Sequence, residues 1–123
     1  MIDLFAPEGG WRVRILDLSG GAEEGISEEI GGFPTLIQAN AFARAYVRDS
    51  VELCREVGMT SREVLDRWFA FGEDVEVLDA GDQGWRSGSE LSEFADHPAG
   101  EIERDWRSLD PRRDEDEDED EDG

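Results

Sequence analysis

Residues 35–57, TLIQANAFARAYVRDSVELCREV, decide the fold. Thr35 followed three positions later by Gln38 is a capping-box pattern. The hydroxyl accepts the third helical amide while the glutamine side chain reaches back to the cap amide. Pro34 resists backward extension of a helix and pushes Phe33 into an extended conformation. Gly58 stands where a left-handed residue ends a helix. On a helical wheel, Leu36, Ala39, Phe42, Ala43, Tyr46, Val47, Val51, Leu53, Cys54 and Val57 fall on one half. Gln38, Arg44, Arg48, Asp49, Glu52, Arg55 and Glu56 fall on the other. A surface helix needs an apolar stripe of only about 100°. Half a circumference therefore predicts a core helix covered on two sides.

Working outward, residues 11–18, WRVRILDL, alternate Trp11, Val13 and Ile15 against Arg12 and Arg14, the pattern of a half-buried strand. The Gly-rich turn at 19–25 leads to a weaker strand over 26–33, carried by Ile26 and Ile30, and the pair reads as a β-hairpin. Beyond the main helix, Thr60 with Glu63 is a second capping box. It opens a helix over 61–71 whose apolar face is Val64, Leu65, Trp68, Phe69 and Phe71, with Gly72 as the stop. Residues 74–79 alternate again as a third strand. A short helix over 89–96, opened at Ser87 or Ser89, carries Leu91, Phe94 and Ala95 up to Pro98. Residues 99–110 are expected to pack back through Ile102, Trp106 and Leu109. The order β-β-α-α-β-α predicts an α+β fold, a small antiparallel three-stranded sheet packed against one long helix and shorter ones. Residues 1–110 are expected to form one domain, its first ten residues an arm docked through Ile2, Leu4 and Phe5. Residues 111–123 are expected to be a disordered acidic tail.

Charge constrains the partners. The 123 residues carry 33 acids, 12 arginines and no lysine, a net charge of −21. Nine of those acids form the unbroken run 114–122; without them the body stands at 24 acids against 12 bases, or −12. A surface this negative favours solubility and repels polyanions. A nucleic-acid-binding domain is expected to carry a basic patch. The single cysteine, Cys54, excludes an intramolecular disulfide framework. No stretch approaches the ~18 apolar residues of a membrane span, and the N-terminus lacks the pattern of a secretory signal. The expected address is the cytoplasm of a bacterium.

Few residues suggest chemistry. Cys54, at the centre of the apolar arc, reads as buried filler; a reactive thiol needs an electropositive, partly exposed setting. His97 is the only histidine, too few for a triad or a zinc site. Residues 79–90, DAGDQGWRSGSE, place Asp, Gly and Glu at positions 1, 6 and 12 of a twelve-residue calcium loop. Asp79 and Glu90 are thus the metal candidates. Gly81, Gln83 and Arg86 depart from that pattern at positions 3, 5 and 8, and a plain Gly-rich loop explains the stretch. Arg44, Arg48 and Arg55 share one side of the main helix and invite phosphates, but intrahelical pairing such as Arg48 with Glu52 accounts for them. Trp85 and Arg86, in a loop, are the candidate interaction residues, since tryptophan and arginine anchor interfaces. No catalytic constellation, P-loop, dinucleotide fingerprint or other cofactor motif stands out. The expected function is a non-catalytic interaction module for a protein with a basic surface. The alternatives are a calcium-binding protein through 79–90, or an enzyme with an unrecognised site.

Overall fold

The computed structural model describes residues 7–20 and 25–113. The proposed arm residues Ile2, Leu4 and Phe5, the middle of the 19–25 turn and the run 114–122 lie outside the described residues. Strands β1 (Trp11–Asp17), β2 (Ile26–Phe33) and β3 (Glu73–Val77) form an antiparallel sheet in the order β2-β1-β3. Helices α1 (Leu36–Cys54), α2 (Ser61–Phe71) and α3 (Leu91–Asp96) complete the α+β fold. Trp11, Val13, Ile15, Ile30, Phe33, Val75 and Val77 are buried in one core with α1. Arg12 and Arg14 share the other face with Glu29 and Glu76, joined by ion pairs at 3.1–3.8 Å. In the hairpin, β1 advances from Trp11 to Val13 while β2 passes from Phe33 to Ile30. The extra residue on β2 makes a bulge, which Gly32 accommodates at φ +88°.

Helix α1 is unbroken and two-sided, as its wheel requires. Leu36, Ala39, Phe42, Ala43, Val47, Val51 and Cys54 are buried, and so are Ala45, Arg48 and Ser50 beside them. Phe42 packs within 5.2–5.8 Å of the rings of Phe33, Tyr46 and Trp106. A buried aromatic contributes about 1.5–3 kcal/mol by area alone. Thr35 caps the helix by accepting the Gln38 amide at 3.0 Å. The reciprocal half of that box is absent: the Gln38 amide group donates to the Leu109 carbonyl at 2.9 Å and fastens the C-terminal segment instead. The helix also ends at Cys54, three residues early. Arg55 turns extended to reach α3, which leaves Val57 in solvent and places Gly58 (φ +90°) in the connecting turn.

The second capping box is complete, with Thr60 accepting from the Glu63 amide and Glu63 accepting from the Thr60 amide. Trp68 is buried, but Phe69 and Phe71 are exposed against the wheel. A helix of eleven residues meets the core along a narrow line, so the flanks of its apolar arc stay outside. Ser50 ties α1 to α2 and β3: its hydroxyl accepts from Trp68 Nε1 at 3.1 Å and from the Glu73 amide at 2.9 Å. Trp106 and Leu109 pack back on the core as expected, whereas Ile102 is exposed. The chain stays docked beyond Asp110, since Arg112 pairs with Asp110 at 2.8 Å and also with Glu28 on β2.

Candidate functional site

The alternating strand β3 is an edge strand, and the 79–90 segment that follows doubles back along it. Asp79 makes the reversal in the left-handed region (φ +62°), which Asp tolerates better than most residues. Gly84 then passes so close to the strand that a Cβ there would lie 3.2 Å from the Cβ atoms of Val77 and Ala80. Asn40 of α1 holds the segment from the other side: its amide donates to the Gln83 carbonyl and its oxygen accepts the Trp85 amide, both at 2.9 Å. Between strand and segment lies a cleft of about 510 Å³, lined by Leu16, Asp74, Glu76, Leu78, Asp79, Trp85, Arg86 and Ser87 among others.

Asp74 is the chemically unusual group in this cleft. Partial burial pushes its carboxyl above the ordinary aspartate range, against the opposing hydrogen bonds from the Val75 amide and the Ser87 side chain. The Val75 amide lies at 2.8 Å. Nearby Glu76 adds to the upward push. No arginine pairs with Asp74 among the described residues, although its neighbours Glu76 and Asp79 reach Arg14 and Arg12. Nothing in the alternation Asp74-Val75-Glu76 signals this setting, because it is created by the returning segment.

A carboxyl held above its unfolded pKa binds its proton more tightly in the fold. The stability this brings is complete below the unfolded value, about 3.9, and is lost as pH rises through the higher folded value. Asp74→Asn keeps an oxygen to accept the Val75 amide and removes the ionisation. The variant is expected to melt higher than wild type at pH 7, with the gap closing below about pH 4. Thermal melts across pH 3–8 check this; a constant gap would show that the charge is not the cause.

The residues singled out from sequence take different places. Asp79 and Glu90 are not brought together: Asp79 meets Arg12 on the sheet at 3.1 Å, while Glu90 accepts Arg44 of α1 at 2.8 and 3.0 Å. Arg44 holds the Glu90 carboxyl below the usual glutamate range. Among the described residues no three His, Cys, Asp or Glu side chains are placed to share a metal ion. Trp85 is half-buried, stacked on Phe94 at 6.2 Å, and its indole N–H donates to Glu90 at 2.7 Å. Arg86 is exposed at the cleft and is the one arginine side chain with no ion pair, hydrogen bond or ring partner among the described residues. Neither Ser87 nor Ser89 caps α3 with its side chain; Ser87 faces Asp74 and the Ser89 hydroxyl donates to the Arg86 carbonyl.

Arg48 of α1 and Arg55 just beyond it form a clamp on α3. Arg48 is buried beneath Phe94, its guanidinium 4.5 Å from the ring, and donates to the His97 carbonyl at 3.0 Å. Its acid partner is Glu103 at 3.4 Å, not the expected Glu52. Arg55 takes Glu52 and donates to the carbonyls of Phe94 and Ala95 at 2.9 and 3.0 Å. Positive charge at a helix C-terminus is favourable, and these donors are spent on it rather than offered to phosphates. Cys54 is buried, which pushes its thiol up and keeps it unreactive. His97 is exposed at the end of α3. The Ser87 side chain hydrogen-bonds the Asp74 carboxyl across the cleft. No helix of the described residues is long and apolar enough to cross a membrane. The chain matches no protein-family model, no curated protein and no solved structure.

Proposed function

We propose that the chain is a non-catalytic interaction module that docks on a basic surface of another protein, and that the cleft beside β3 receives one of that protein's arginine or lysine side chains. The observation that carries this reading is Asp74, a partly buried carboxyl with hydrogen bonds but, among the described residues, no cation. A guanidinium or ammonium entering from a partner would recover the electrostatic stabilisation that burial removes. Its aliphatic stem would lie on Leu16 and Leu78 in the cleft wall. The internal use of Arg44, Arg48 and Arg55 argues in the same direction, since the fold has little positive charge left to offer a polyanion. The acidic run 114–122 supplies a salt-sensitive attraction that steers association.

The test is titration with an arginine-rich nonapeptide, followed by calorimetry at low and high salt. At about 0.15 M salt, Asp74→Asn is expected to weaken binding roughly fivefold, the equivalent of about 1 kcal/mol for one ion pair. Glu101→Gln removes one charge from an exposed site and is expected to change affinity less than about twofold. Equal losses in the two variants would show that overall charge, and not the cleft, does the binding.

A further inference from the structure

Large apolar side chains in solvent are ordinary when scattered, and notable when they face one another across a concavity. Leu53 in the last turn of α1 and Phe71 at the end of α2 are 73% and 70% exposed. Both line a second cleft of about 560 Å³, with buried Ser50, Cys54 and Gly72 in its wall. Asp17, Glu73 and Arg67 complete its lining. Arg67 is neutralised by Glu56 at 2.7 Å. Glu73 accepts the Tyr46 hydroxyl at 2.8 Å. The cleft is therefore apolar in its walls and negative at its rim. Helix packing explains why it stays open: α2 spends Trp68 on the core and points Phe71 past it, while α1 stops one residue after Leu53.

We propose that the Leu53–Phe71 cleft is the apolar anchor point for the basic partner: it takes a leucine-like side chain of a protein segment whose flanking lysines or arginines meet Asp17 and Glu73. This rests on the reading of the chain as a module for a basic protein, and adds where that protein's apolar contact falls. Charge complementarity selects this occupant over a second copy, which would bring a like-charged rim and a net charge of −21 against another −21.

The probe is a 14-residue amphipathic peptide of leucine and lysine, with a lysine-only peptide of equal length as control. Leu53→Gln and Phe71→Gln lie on the surface and suit helical positions, so their melting temperatures are expected to stay near wild type. The double variant is expected to bind the leucine–lysine peptide about tenfold more weakly, the scale of one lost apolar side chain. It should bind the lysine-only peptide unchanged. Unchanged affinity for the leucine–lysine peptide overturns the proposal. If Asp74→Asn still weakens the arginine-rich nonapeptide in that case, the basic-partner reading stands and only the anchor point falls. Failure of wild type to bind either peptide at low salt overturns both. Wild-type dimers in sedimentation that the double variant abolishes would assign the cleft to a second copy, and so overturn it too.

Discussion

Gly72→Ala is expected to cost about 3 kcal/mol, the upper range for forcing extra atoms into a packed interior. For a domain of this size that lowers the melting temperature by roughly 10–20 °C. The cause is not backbone conformation, since Gly72 has an ordinary φ of −85°. A Cβ there would stand 2.3 Å from Cδ1 of Trp68 and 2.7 Å from its Nε1. The ring has nowhere to go, because it is 1% exposed and its N–H is held by Ser50. Chemical denaturation of Gly72→Ala, Trp68→Phe and the double variant separates the causes. A smaller ring should relieve part of the clash, so the double variant should lose less than the sum of the singles. Strict additivity would show that the indole is not what Gly72 makes room for.

Arg55→Ala is the second large effect, about 3 kcal/mol, the low end for breaking a buried ion pair. The Glu52 side chain is 6% exposed, and its carboxylate accepts Arg55 and the Ala99 amide. Without the guanidinium, a desolvated charge remains with no cation, the Phe94 carbonyl loses this donor, and the Ala95 carbonyl keeps only the Ser61 hydroxyl at 3.4 Å. Adding Glu52→Gln removes the stranded charge and keeps an acceptor for Ala99. The double variant is therefore expected to recover part of the loss. Hydrogen exchange should place the damage first in α3, a six-residue helix whose last carbonyls this clamp ties down. Uniform loss of protection across the fold, or no recovery in the double variant, would contradict the clamp.

These two sites differ in how far they can be read from sequence. Gly72 reads correctly as the end of α2, yet its reason for being glycine is the Trp68 ring four residues back in a turned-in rotamer. Arg55 reads as an outward-facing cation with a phosphate-binding option; it is instead the first residue beyond α1, turned across to carbonyls about forty positions away. Phe71 reads as core on the wheel and lies in solvent, because a wheel ranks directions within one helix without saying how wide a face the neighbours cover. Asp74 has no sequence signature at all. Its neighbours across the cleft arrive only when 79–90 folds back. Of the interaction pair, Trp85 turns inward onto Phe94, and Arg86 has no side-chain partner among the described residues.

Sequence alone determined the α+β class, the hairpin, the continuity of α1, the complete cap at Thr60 and Glu63, and the excess of negative charge. Each of these follows from composition or from periods of two and 3.6 residues, which act within a few positions along the chain. Tertiary structure decided where the arginines of α1 point, which apolar side chains stay in water, and which carboxyl loses its solvation. Those outcomes depend on groups tens of residues apart meeting in low dielectric, where burial and pairing energies are set by the neighbour and not by the residue itself.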